Sequence, residues 1–391
     1  MVHFQQADRM KQLPAQFFAR LVQRVNHYLE QGIDVINLGQ GNPDLPTPDH
    51  IVASLQEAAG DPQYHKYPPF RGFSFLKEAI ATYYQREYQV TLDPETEVAV
   101  LFGGKTGLVE ISQAILNPGD LALVPDPGYP DYWSGIAIAD GKMEMMPLLE
   151  ENQFLPDYQQ IDQASLDQAK LIFLNYPNNP TGSIATPTFF SDTVQLAQKH
   201  DLLVVHDFAY GAIGFDQQKP ISFLQTAGAK EVGIEIFTMS KTYNMAGWRI
   251  GFALGNRSVI ESINLLQDHF YVSLFGAIQH AAATALLGSQ ACVEQLVTTY
   301  EQRRNTFMNG LRSIGWNAKA PKGSFFCWLP VPEGYRSEAF AEALLEQAHV
   351  AVAPGIGFGK TGDSYVRVGL LTDEHRLMEA VERIKSGTFF N

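Results

Sequence analysis

Between residues 50 and 280, short apolar runs alternate with stretches long enough for a helix. Residues 97–103 read E-V-A-V-L-F-G, 121–125 L-A-L-V-P, 170–175 K-L-I-F-L-N, 202–207 L-L-V-V-H-D, 234–240 I-E-I-F-T-M-S and 250–255 I-G-F-A-L-G. Runs of this length, apolar on both faces and rich in β-branched residues, read as strands covered by helices on either side. The pattern predicts an α/β fold whose large domain has a mostly parallel central sheet. Several runs end on a polar residue or a glycine, at the carboxyl edge where such sheets bind ligands.

Beyond residue 257 the pattern changes. Residues 258–312 predict long helices, followed by a strand over 324–329, a helix over 337–348, strands over 350–353 and 364–370, and a last helix over 373–384. This reads as a smaller α+β domain. A helix near 15–31 joins it, and the chain then enters the presumptive site through I-N-L-G-Q-G-N-P-D at 36–44. The expected division is an N-terminal arm with part of the small domain over 1–48, a large domain over 49–285 and a small domain over 286–391.

Composition narrows the function classes. The chain has 391 residues, 45% hydrophobic and 18% charged, which suits an ordinary globular protein rather than a disordered one. Net charge is 28 − 42 = −14. Nucleic acid and anionic membrane both need clustered positive charge and are not expected partners. A small anionic ligand needs only a local cation and stays open. No apolar stretch approaches a membrane span and the first residues lack a signal-peptide core, so a cytoplasmic location is expected. Cys292 and Cys327 have no metal-site spacing. No metal is expected, and reduced thiols are preferred to a disulfide.

The chemistry concentrates at 239–252, M-S-K-T-Y-N-M-A-G-W-R-I-G-F. Lys241 lies in an apolar, glycine-bearing run, which favours the neutral amine that a Schiff base requires. Ser240 and Arg249 are the donors a phosphate tail needs. Together they point to pyridoxal phosphate held at Lys241, against the plain alternative of a surface lysine beside a solvated arginine. Four other motifs bear on the same cofactor. In N-Y-P-N-N-P-T-G (175–182), Asn179 offers an amide to the phenolate O3′, or the segment is a turn alone. In V-V-H-D-F-A-Y (204–210), Asp207 ends an apolar strand and needs a cation, which a protonated pyridine nitrogen supplies. Tyr210 is a second donor to O3′, while His206 faces the other way and reads as a core histidine. In L-F-G-G-K-T-G (101–107), a glycine turn before a helix presents Gly104, Lys105 and Thr106 to a phosphate, although it lacks Walker spacing. In D-P-G-Y-P-D-Y-W (126–133), Tyr132 is the candidate to stack on the ring, with a core role for Tyr129 and Tyr132 as the alternative. Finally, Arg367 in S-Y-V-R-V-G-L (364–370) is either a carboxylate clamp or half of a buried salt bridge.

In this order the motifs, with G-N-P-D-L-P-T-P (41–48) and Y-P-P-F-R-G (67–72), resemble the fold-type I, class I/II aminotransferases along nearly the whole chain. The resemblance implies a pyridoxal 5′-phosphate enzyme working by a ping-pong exchange between an amino acid and a 2-oxo acid. Lys241 would hold the cofactor and then carry the proton between Cα and C4′. Asp207 would hold the pyridine nitrogen, Asn179 and Tyr210 would hold O3′, and Tyr132 would stack on the ring. Ser240 and Arg249, with the 104–106 turn, would bind the phosphate. Arg367, Asn179 and the Gly41 backbone would bind the substrate. Tyr67 would reach the phosphate of a partner subunit, implying a homodimer with shared sites. The runs N-L-G-Q-G-N-P-D, Y-H-K-Y-P-P-F-R-G and V-A-P-G-I-G-F-G-K are similar to the methionine-salvage transaminases, which aminate 2-oxo-4-methylthiobutanoate. No arginine suited to a second carboxylate stands at 271–279. Phe17, Phe18, Gln40 and Phe275 are candidates to line a side-chain pocket, and Lys105 leaves an acidic substrate open. Aspartate, alanine, aromatic and LL-diaminopimelate aminotransferases, and a C–S lyase, remain alternatives.

Overall fold

The computed structural model describes residues 4–14, 17–387 and 389–390, with backbone alone at 17 and 18. Among these, twelve strands form: β1 (Ile36–Asn37), β2 (Val98–Leu101), β3 (Leu121–Asp126), β4 (Lys142–Pro147), β5 (Ala169–Asn175), β6 (Leu203–Asp207), β7 (Gly233–Thr238), β8 (Gly251–Gly255), β9 (Phe326–Pro330), β10 (Val350–Ala351), β11 (Ala353–Pro354) and β12 (Tyr365–Gly369). Seven of them make the central sheet in the order β2-β8-β7-β6-β5-β3-β4. Only β8 runs against its neighbours, and the other pairings are parallel. The sheet is thus mostly parallel, and the six apolar runs are six of its strands.

Successive residues along a strand face opposite sides, so each run builds two cores. Ile172, Leu174, Val204, Phe237 and Phe252 pack on one face with Tyr83, Tyr84 and Tyr88. Those tyrosines come from α3 (Ser74–Tyr88), which follows α1 (Phe17–Glu30) and α2 (Asp49–Ala59) in the chain. Leu171, Phe173, Val205, Ile234, Ile236 and Ala253 pack on the other face against Leu108 and Ile111 of α4 (Gly104–Ile115). Each of the Val, Leu, Ile and Phe side chains among them contributes about 1.5–3 kcal/mol on burial.

The edge strand β4, K-M-E-M-M-P, has no counterpart in the sequence expectation. It has no β-branched residue, and Met143 and Met145 are 38% and 40% exposed. An edge strand half in water needs neither a continuous apolar run nor strong β-formers.

A third core, with Leu38, Phe307, Leu311, Trp316, Phe340, Val368 and Leu377, belongs to the C-terminal half. Its antiparallel sheet has the order β11-β12-β9. The expected strand at 350–353 divides in two: β10 pairs with β1, and β11 pairs with β12. The β1–β10 pairing ties the N-terminal segment to this half and leads residues 39–44 past the ends of β6 and β7. Among the described residues no helix is long and apolar enough to cross a membrane.

Candidate active site

A cavity of about 680 Å³ opens where β6 and β7 end, walled by residues of both halves and by α1. Lys241 reaches into it from the single helical turn Met239–Thr242 directly after β7. Thr238 starts that turn by accepting the Ser240 N–H through its hydroxyl at 3.2 Å. The Lys241 Nζ donates to the Gly41 carbonyl at 2.9 Å and sits 5.5 Å from the centre of the Phe325 ring. Burial, then the positive charges of Arg367 and Arg249, push its pKa down to about 8. A minor but far larger fraction of this amine is therefore neutral near physiological pH than of an ordinary surface lysine.

Asp207 ends β6 with its side chain on the cavity. One oxygen accepts the Tyr132 hydroxyl at 2.8 Å and the other the Ala209 N–H at 3.2 Å. Burial raises its pKa to about 6, and those hydrogen bonds pull against that rise. The neighbouring strand end supports it: Asn175 donates its amide to the Asp207 carbonyl at 2.8 Å and accepts the Asn179 N–H at 2.7 Å. Asn179 in turn accepts Arg367 Nη1 at 3.0 Å.

Arg367 comes from β12 in the other half, and its Nη2 donates to the Gly39 carbonyl at 3.0 Å. Its guanidinium lies between Phe326 and Phe358, 4.0 and 4.7 Å from the ring centres. Burial lowers its pKa to about 10, so it stays charged at neutral pH. A Cβ on Gly41 would lie 3.7 Å from Nη2, which shows how closely that segment passes the guanidinium. Tyr210 also lines the cavity, edge-on to Phe325 and Phe326.

A second group of donors gathers at the start of α4. Gly104 and Lys105 line the cavity there beside Thr238, Ser240 and Arg249. The Thr238 hydroxyl donates to Ser240 Oγ at 2.9 Å. Arg249 adopts a left-handed backbone with φ of 58° and donates to the Ala246 carbonyl at 2.9 Å. Gly103 is what permits this approach. Its φ is 86°, and a Cβ there would stand 2.5 Å from Arg249 Nη2. Gly103→Ala is expected to displace Arg249 and weaken binding of a phosphate-bearing ligand by about tenfold or more. Equilibrium binding of pyridoxal phosphate checks this, and an unchanged constant would separate Arg249 from the anion site.

Two expectations are corrected. Tyr132 does not present its ring to the cavity. It is fully buried in the first turn of the helix Asp131–Ile138, stacked at 4.9 Å and 13° on Phe173, with its hydroxyl on Asp207. The helix starts between the two tyrosines of D-P-G-Y-P-D-Y, so Tyr132 turns toward the sheet while Tyr129, in the loop before it, lines the cavity. Thr106 is also displaced from the lining: its hydroxyl donates to the Phe102 carbonyl one turn back at 3.1 Å. Lys105 lines the rim and pairs with Asp131 at 2.9 Å. Gln40 lines the cavity, whereas Phe275 is 41% exposed and outside the lining. The side chains of Phe17 and Phe18 lie outside the described residues. Tyr67 is 90% exposed and outside the lining. Leu21, Val22 and Thr238 line the cavity without having stood out in the sequence. Thr238 had one signal, a hydroxyl at a strand end two residues before Ser240.

A half-buried amine, a buried carboxylate, a buried arginine and a group of hydroxyl, guanidinium and helix-start donors are brought together in one cleft. The sequence model of the family Aminotransferase class I and II matches residues 33–384, and the chain belongs to that family. It is 64% identical over 381 residues to the L-glutamine--4-(methylsulfanyl)-2-oxobutanoate aminotransferase of Bacillus subtilis (strain 168), covering 97% of this chain and 96% of that one. It is 44% identical to the LL-diaminopimelate aminotransferase of Moorella thermoacetica, covering 97% of this chain and 98% of that one. The apo structure of BacF from Bacillus subtilis superposes with a TM-score of 0.95 at 49% identity, covering 98% of both chains. The protein is an aminotransferase, moving an amino group between an amino acid and a 2-oxo acid.

Proposed function

We propose that this chain is a pyridoxal 5′-phosphate enzyme that aminates 4-(methylsulfanyl)-2-oxobutanoate to methionine, with glutamine as donor. The observation that carries the cofactor is the Lys241 amine, held in a cavity that the buried Asp207 carboxylate also lines. The residues fit the group: Gly103 leaves the space that Arg249 fills, and Asp207 is a buried anion awaiting a cation. The substrate is supported by the 64% identity to the glutamine-dependent relative.

When bound, the cofactor supplies an aldehyde for amine exchange and an electron-withdrawing ring. Asp207 would hold the protonated ring nitrogen, and Tyr210 and Asn179 would donate to O3′. Ser240, Arg249 and the N–H groups of Gly104 and Lys105 would hold the phosphate. Tyr129 takes the stacking role in place of Tyr132. Arg367 binds the substrate carboxylate through its planar fork, with the Gly41 segment alongside and Asn179 fixing one of its nitrogens. This fixes Cα near Lys241, whose amine takes up and returns the proton there.

The active unit is a homodimer in which Tyr67 completes the partner subunit's phosphate site. Support comes from the exposure of Tyr67 and of Phe70 three residues on, aromatic surface that a second copy would cover. The division at residues 48 and 285 and a cytoplasmic location belong to the same proposal, the latter in keeping with the free thiols of Cys292 and Cys327.

The test is a transamination assay with 4-(methylsulfanyl)-2-oxobutanoate as acceptor and purified enzyme. Methionine should form faster with glutamine than with aspartate, alanine or LL-diaminopimelate. A higher kcat/KM for LL-diaminopimelate would replace the substrate assignment, and release of ammonia and pyruvate from cystathionine by an enzyme that forms no methionine in this assay would replace the reaction.

A further inference from the structure

Behind Asp207, on the opposite face of β6, lies a buried polar cluster that the chemistry above does not use. His206 and Glu235 are both fully buried and stand opposite each other across the β6–β7 pairing. Glu235 Oε1 accepts the hydroxyls of Tyr84 and Ser222, each at 2.8 Å. Its Oε2 accepts the Phe223 N–H at 2.8 Å and faces His206 Nδ1 at 2.8 Å. Both carboxylate oxygens are thus engaged, by four polar partners in all. The other ring nitrogen, Nε2, faces the Tyr176 carbonyl at 3.1 Å. With an acceptor at each nitrogen, the imidazolium is the form that satisfies both contacts.

The placement of this ion pair is informative. A well-packed apolar pair would serve a core at least as well as a buried ion pair. Here the histidine links the middle of β7 to the ends of β5 and β6, where site residues leave the sheet. It holds Tyr176, the residue after Asn175. The Asn175 amide holds both the Asp207 carbonyl and the Asn179 N–H, and Asn179 accepts Arg367. A cation one residue from Asp207 also favours the Asp207 anion, against the burial that disfavours it.

We propose that the His206–Glu235 ion pair is a positioning device that keeps Asp207 ionised and fixed, and so sets how tightly the site grips a protonated ring nitrogen. The proposal rests on the reading of Asp207 as the partner of that nitrogen. His206 is accordingly a positioning residue acting through Asp207, and Glu235 holds its charge.

The test compares equilibrium dissociation constants of pyridoxal phosphate and of its 1-deaza analogue, which carries a C–H in place of the ring nitrogen. Wild type, His206→Gln and the double variant His206→Gln/Glu235→Gln are titrated, with circular dichroism and thermal unfolding as checks on folding. Wild type should prefer pyridoxal phosphate; equal binding of both probes by wild type overturns the Asp207 reading itself, and this proposal with it. His206→Gln should weaken pyridoxal phosphate about tenfold and the deaza analogue less than twofold. Equal loss of both, or loss of neither, reduces the pair to core packing and overturns the proposal. The double variant leaves no lone buried charge, so it carries the same comparison with the same expected result if the single variant does not fold.

Discussion

Lys241→Ala is expected to lower transamination by on the order of 10,000-fold or more, the largest effect of any single change in this chain. On the proposed chemistry two roles would end together, covalent attachment of the cofactor and movement of the proton at Cα. The other lysine lining the cavity, Lys105, is engaged by Asp131 and cannot replace it without breaking that pair. The measurement is a half-reaction in which the cofactor absorbance is followed after adding amino acid alone. The wild-type amine carries a further expectation. Its pKa is lowered to about 8, so it is protonated and inert well below that pH and neutral above it. The rate at which cofactor-free wild type captures pyridoxal phosphate should climb as pH rises through about 8 and then level off. A climb centred near 10 would mean that burial does not tune this group. Near-normal turnover by the alanine variant would remove Lys241 from the chemistry.

Arg367→Ala should raise KM for the amino acid and for the 2-oxo acid together, by about 100-fold, as expected for loss of a desolvated, bidentate charge contact. The common effect on both substrates is the signature, because the carboxylate is the group they share. Alanine also empties the space between Phe326 and Phe358 and removes the donor to Asn179 and Gly39. Arg367→Lys separates these causes. It restores a charge but not the planar fork, so KM should stay raised by about tenfold or more. An unchanged KM for both substrates in the alanine variant would remove Arg367 from carboxylate binding.

Much of the fold was legible because parallel strands buried on both faces must be continuously apolar. The runs 170–175, 202–207 and 234–240 therefore stand out, and they hold β5, β6 and β7, the strands whose ends carry the cavity. The strand β4 was silent because an edge strand faces water and tolerates Lys142 and Met143. The break between β10 and β11 was silent because pairing partners, not local composition, divide that run. In the site, a motif localises chemistry to a few residues but does not aim each side chain. D-P-G-Y-P-D-Y holds two tyrosines, and only the start of a helix at Asp131 decides that Tyr129 faces the cavity and Tyr132 the sheet. Thr106 likewise sat in the right turn, yet its hydroxyl folds back on its own helix. Leu21 and Val22 were invisible because α1 meets the cavity only through the tertiary pairing of the N-terminal segment with β10. His206 read correctly as a core residue from its strand parity, but its partner Glu235 lies 29 positions away and required the register of β6 against β7.

The most direct test of the central claim is borohydride reduction of the purified holoenzyme followed by peptide mass mapping. A phosphopyridoxyl group is predicted on the peptide containing Lys241 and on no other. A label on Lys105 instead, or no label at all, would contradict the assignment on which the proposed chemistry stands.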